Sequence, residues 1–171
     1  YNANFKETHY DGTWKGKEIG NIAIKFVDYL RKDMIAALKA SKRFTPPHPI
    51  TEMAAKASEV VSLGNQTGEG WFLTAEMIDL IDDGAPNIVC MQPFACLPNH
   101  VTGKGVIKAL RKKYPQSNIV AIDYDPGASE TNQLNRIKLM LSTAFKNIGE
   151  KPHIETPTKN LDERIAEVFG G

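Results

Sequence analysis

The segment Asn118-Ile119-Val120-Ala121-Ile122-Asp123 is an unbroken apolar run that ends in a carboxylate. Runs of this kind are strands of a parallel sheet, buried on both faces. A similar run, Asn87-Ile88-Val89-Cys90-Met91, stands earlier in the chain. Between the two, Val106, Ile107 and Leu110 recur at helical spacing from about Gly103 to Lys113, until Tyr114-Pro115 ends the pattern. Strand, helix and strand joined by short connections specify a right-handed parallel βαβ unit. Beyond the second strand, Tyr124-Asp125-Pro126-Gly127-Ala128-Ser129 leads into a long helix with Leu134, Ile137, Leu141, Ala144 and Phe145 on its core face. Ser129 is placed to cap that helix, and Glu130 lies in the first turn, where the helix dipole favours negative charge. Two strands alone make no stable sheet. Either the N-terminal segment supplies another strand, or the sheet is completed elsewhere in a longer protein.

Upstream, the first twenty residues are polar and glycine-punctuated, without a period. From Asn21 to about Ser41 an amphipathic helix is expected, with Ile24, Val27, Leu30, Met34, Ile35 and Leu38 inward and Lys25, Arg31, Lys32 and Lys39 on the wet side. Thr45-Pro46-Pro47-His48-Pro49 breaks it. A second helix, from about Ile50 to Ser62, carries Met53, Ala57, Val60 and Val61 on one face. Leu63 to Gly70 reads as a flexible loop, and a third helix, from about Trp71 to Asp83, brings Ala75, Ile78 and Ile81 inward and stops at Gly84. Downstream, Gly149 to Lys159 reads as a proline-containing linker before a short helix with Leu161, Ile165, Val168 and Phe169 on one side. The organisation expected is residues 1–62 as a helical extension or part of the same domain, 63–148 as a βαβα core, and 149–171 as linker and helix.

The 171 residues are 42% apolar and 24% charged, as in ordinary globular proteins. Lys+Arg 21 against Asp+Glu 20 leaves a net charge of +1, which gives no electrostatic case for nucleic acid or an anionic membrane. No run reaches the length of a membrane-spanning helix, and Tyr1 to Glu7 lacks the profile of a signal peptide. The start without methionine fits a fragment excised from a longer protein, and processing or a trimmed sequence would look the same. Two cysteines are too few for a disulfide framework, so a reducing cytoplasm is expected. Cys90, inside an apolar run, reads as a small buried hydrophobe.

The chemistry points to Gln92-Pro93-Phe94-Ala95-Cys96-Leu97-Pro98-Asn99-His100, a loop at the C-terminal end of the first strand, where open α/β sheets bind ligands. Pro93 and Pro98 stiffen it, and a helix start near Gly103 would favour a thiolate at Cys96. Three uses of Cys96 are open: ligand of a metal or cluster, nucleophile with His100 as base, or packing. A ligand role needs partners from another domain or subunit, because the chain has no CxxC pair. Asp123 and Asp125 close the second strand. They suit metal or phosphate chemistry, or else a plain Asp-Pro-Gly turn with Asp123 capping nearby amides. Gly64 to Gly70 and His100 to Gly105 both fail as phosphate-binding P-loops, the first for want of Lys-Ser/Thr and the second because Gly105 replaces the hydroxyl residue. Glu69, between two glycines, could enter a site from its loop. Asn132, Asn135 and Arg136 share an early helical face beside the same sheet edge, either solvated or facing a ligand.

Four motifs occur in order: Gly68-Glu69-Gly70-Trp71-Phe72-Leu73-Thr74-Ala75-Glu76-Met77, the loop from Gln92 to His100, Ile122-Asp123-Tyr124-Asp125-Pro126-Gly127-Ala128-Ser129-Glu130, and Asn132-Gln133-Leu134-Asn135-Arg136-Ile137-Lys138-Leu139. Together, over about residues 63 to 143, they resemble the C-terminal, dehydratase-like region of the large multidomain 2-hydroxyacyl-CoA dehydratase activators (acyl-CoA dehydratase activases). The resemblance implies a flavodoxin-like, Rossmann-like α/β fold, a parallel sheet flanked by helices with extra helices at both ends. It also implies that Cys96 is one ligand of an iron-sulfur cluster whose other cysteines lie in neighbouring units. His100, Glu69, Asp123, Asp125, Asn132, Asn135 and Arg136 would border the cofactor region. The partners would be other domains of the parent chain or a dehydratase-type protein. ATP-driven electron transfer would belong to the complete protein, since this chain carries no ATPase motif. Ala95 departs from the motif only slightly, since a small residue, often glycine, is expected there. The contrasting expectation is an independent small-molecule binder or Cys-dependent enzyme with its site at the sheet's C-terminal edge.

Overall fold

The computed structural model of the chain describes residues 12–42 and 44–148. The expected linker and C-terminal helix lie outside the described residues. In chain order the elements are α1 (Trp14–Ala40), α2 (Ile50–Ser58), α3 (Phe72–Asp82), β1 (Asn87–Pro93), a π-helical turn (Asn99–Gly103) followed by a 3-10 turn (Lys104–Val106), α4 (Ile107–Lys113), β2 (Asn118–Tyr124) and α5 (Glu130–Asn147). The fold is mixed α/β and mostly helical. β1 and β2 pair in parallel, with Asn87 opposite Asn118 and Pro93 opposite Tyr124. Among the described residues the sheet has two strands, so a full flavodoxin-like sheet is not formed.

One face of the sheet is well covered. Ile88 and Ile119 meet Met77, Ile78 and Ile81 from α3 and Val106 and Leu110 from the crossover segment, in one core. Removing such side chains from water is the main stabilising term, at roughly 25 cal/mol per Å². A second cluster, Met53, Ala54, Ala57, Trp71 and Ala75, joins α2 to α3. The small alanines let those helices approach closely. Polar contacts reinforce that joint. Lys56 lies 3.2 Å from Asp79 and 3.1 Å from Asp82, and His48 Nδ1 pairs with Asp79. The proline-rich strap is held further by Thr45, whose hydroxyl donates to Asp83 at 3.2 Å.

The other face is only half covered. α5 rests on β2 and buries Met140, while Val89 and Met91 of β1 stay exposed. The expected inward set on α5 is therefore corrected. Ile137, Leu141, Ala144 and Phe145 are half-buried and Leu134 is exposed, because a helix lying on two strands meets them along a narrow line. α1 departs further. Thr13 caps it, accepting from the Gly16 N–H at 3.3 Å, but it buries no residue. Val27, Leu30 and Met34, expected inward, are exposed, since among the described residues no element covers that side of the helix. α3 ends as its glycine requires: Gly84 has φ +83°, and Ala85 N–H returns to the Leu80 carbonyl at 2.8 Å. Among the described residues no helix is long and apolar enough to cross a membrane.

Candidate functional site

β1 delivers the cysteine loop. The Phe94 N–H bonds the Tyr124 carbonyl at 3.1 Å, extending the ladder by one rung, and Cys96 N–H then closes a turn on the Pro93 carbonyl at 3.1 Å. Ala95, the third residue of that turn, has φ 55°. This left-handed backbone is what glycine adopts freely and other residues at a cost of about 1–2 kcal/mol. Glycine at position 95 would relieve this backbone.

From Cys96 the chain turns directly into helix, so the helical start lies at Leu97 to Asn99 rather than near Gly103. His100 is tied to the backbone: its N–H and its Nδ1 both donate to the Cys96 carbonyl, at 3.2 and 2.8 Å, which puts the ring proton on Nδ1. The group aimed at the half-buried Cys96 Sγ is the amide of Asn99, with Nδ2 at 3.0 Å. On the same segment Phe94, Leu97 and Val101 are 71%, 62% and 48% exposed.

A buried threonine pair fixes this loop to the core. Thr74 Oγ1 on α3 donates to the Thr102 carbonyl at 2.6 Å. Thr102 Oγ1 lies 2.6 Å from the Gly70 carbonyl and 2.8 Å from that of Pro98, donating to one or the other. Gly70 has φ +54°, and a Cβ there would lie 2.0 Å from the Asn65 carbonyl oxygen, so no other residue fits. Trp71 N–H meets that same carbonyl at 2.8 Å. Residues 63–70, expected as a flexible loop, are therefore tied to α3 and to the cysteine loop. Glu69 is exposed on this segment. Glu76 has its carboxyl pushed up by desolvation and, next, by the Glu69 charge.

Cys90 behaves as a packed residue. It lies against the main core, accepts from Gln92 Nε2 at 3.0 Å, and burial pushes its thiol up while that amide pulls the other way. Gly103 leaves room for it, since a Cβ there would stand 3.2 Å from the sulfur.

The remaining predicted residues gather at the end of β2. Asp123, Asp125, Asn132, Asn135 and Arg136 line an open cleft of about 700 Å³ beside the start of α5. Cys96, His100 and Glu69 are not part of it. Asp125 closes its own turn, as the Asp-Pro-Gly reading expects, with Oδ1 accepting from Gly127 N–H at 2.9 Å. Asp123, rather than capping amides, takes the Lys104 ammonium at 3.1 Å. Ser129 stands at the N-cap of α5 without a side-chain bond to the helix. The sequence reading did not pick out Asn99, Thr74 or Thr102. A signal existed for Thr74, which shares one helical stripe with Ile78 and Ile81.

Among the described residues no three His, Cys, Asp or Glu side chains come together so as to hold a metal ion. An iron-sulfur cluster takes about four protein ligands, of which this site offers Cys96. The described residues therefore do not form a complete site for such a cluster. In comparisons with known proteins, the chain matches no family model, no curated protein and no solved structure.

Proposed function

We propose that this chain is a docking domain of a 2-hydroxyacyl-CoA dehydratase activator-type protein, whose loop after β1 brings Cys96 to an iron-sulfur site shared with other domains. The reading is carried by one observation: Cys96 sits on a segment locked by buried hydrogen bonds that also exposes Phe94, Leu97 and Val101, and its sulfur accepts from the Asn99 amide. Exposed apolar rims mark surfaces that other protein covers. On this reading the βαβα unit is one part of a flavodoxin-like sheet. The exposed face of β1 is covered by neighbouring domains in a cytoplasmic protein. ATP-driven electron transfer belongs to the complete assembly, to which this chain supplies a ligand and a surface.

The cleft at the end of β2 favours a second reading, an independent small-molecule binder using Asp123, Asp125, Asn132, Asn135 and Arg136. Its cysteine-enzyme form has less support, because the side chain hydrogen-bonded to Cys96 Sγ is the Asn99 amide, which is no base. Anaerobic purification separates the readings. The isolated chain should hold no iron or labile sulfide, and the full-length protein that contains it should hold both. An iron-free full-length protein would remove the cluster reading and leave the binder.

A further inference from the structure

The geometry points to a binding groove for a small phosphate ester along the open edge of β2, independent of the use of Cys96. Asn118 N–H and the Tyr124 carbonyl bond toward β1, so the even-numbered residues of β2 face its partner and Ile119, Ala121 and Asp123 face outward. Each outward carbonyl is already occupied by a side chain. Arg111 Nη2 donates to Ile119, Arg136 Nη1 to Ala121 at 3.0 Å, and Gln133 Nε2 to Asp123 at 2.9 Å. An added strand would find its own N–H groups without acceptors there, so the edge is blunted against sheet extension.

What remains along the edge is a groove of about 400 Å³ whose polar side chains are all donors. Lys104, Lys108, Arg111 and Arg136 line it, with no carboxylate among the lining residues. Asp123 balances Lys104, while Lys108, Arg111 and Arg136 have no ion-pair partner among the described residues. Each guanidinium spends one N–H on the strand, which fixes its plane and leaves further donors for a ligand. Ile107 and Val120 supply an apolar wall. A groove with its acceptors used up and several cations in reach suits an acceptor-rich dianion. The wall and the volume suit a small organic group attached to it.

The test is titration of the chain with phenyl phosphate and with inorganic phosphate, followed through the backbone amide signals of Val120 and Ala121. Phenyl phosphate should give saturable shifts, bind more tightly than inorganic phosphate, and weaken as salt is raised. Lys108→Gln, which touches no structural bond, should raise the Kd about fivefold, and Arg111→Gln further. Lys112→Gln, outside the groove, should leave it unchanged. Absence of saturable shifts, or a Kd unmoved by Lys108→Gln, would overturn the site. Equal binding of the two phosphates would overturn the apolar subsite. A short oligoribonucleotide binding more tightly through Lys108 would overturn the assignment to small ligands.

Discussion

After β1 the chain runs through Phe94 to Thr102, held from beneath by Thr74, Thr102 and the Gly70 carbonyl and crowned by exposed apolar side chains. After β2 it runs through Asp125 to Ser129, closed by the carboxylate of Asp125 on its own backbone and bordered by polar and cationic groups. Both loops leave the same edge of the same sheet. The first takes its shape from distant residues and suits a rigid protein contact. The second takes its shape locally and suits a small polar ligand. Position at the sheet edge therefore does not set a loop's character; the source of its rigidity and the polarity of its rim do.

The largest expected effect comes from breaking the distant support. Gly70→Ala sets a Cβ against the Asn65 carbonyl in a left-handed backbone, and a loss of about 3 kcal/mol or more is expected in chemical denaturation. Amide exchange should accelerate around Cys96 and leave residues 125–129 unchanged, since only the first loop hangs on this glycine. Thr102→Val keeps the shape and removes the hydroxyl, leaving buried carbonyls short of a donor at a cost of about 1–3 kcal/mol. Equal loosening of both loops in either variant would break the contrast between them.

How much of this could be read from the sequence varies with the kind of interaction. Ile119 and Ile122, Ile78 and Ile81, and the Gly84 stop announce themselves through local pattern, and the structure follows them. The Asp125 turn is equally local. Thr102 and Gly70 are separated by thirty-two residues, as the bond between them spans that interval, and no local pattern encodes their meeting. α1 fails in another way. Its apolar period is real, but Leu30 and Met34 are exposed, because periodicity shows that a face is apolar and not what it meets. The β2-edge groove was hidden because its cations come from α4, α5 and the preceding turn, and they converge only when the crossover packs.

Two smaller effects sharpen the contrast. The Asp79 hydrogen bond raises the His48 pKa above its ordinary 6.5, against some desolvation. A raised folded pKa gives stability that is fully present below the unfolded value and lost as pH rises through the folded one. His48→Ala should therefore cost more below about pH 6.5 than in alkaline buffer, by at most about 1 kcal/mol at this partly exposed site. Thermal melts at both pH values would show it, and an equal cost at both would contradict it. Ala95→Gly should be the mildest change. It relieves the positive φ but loosens the unfolded chain, so a gain of about 0.5 kcal/mol is expected in denaturation midpoints.

In the proposed function Cys96 holds a cluster while the neighbouring Cys90 only packs, so the two thiols should answer substitution differently. Iron and labile sulfide should be measured in the anaerobically purified full-length protein carrying Cys96→Ser, beside the same protein carrying Cys90→Ser. The account predicts that the cluster is lost or depleted with Cys96→Ser and kept with Cys90→Ser. Equal iron in the two variants, or loss with Cys90→Ser alone, would contradict it.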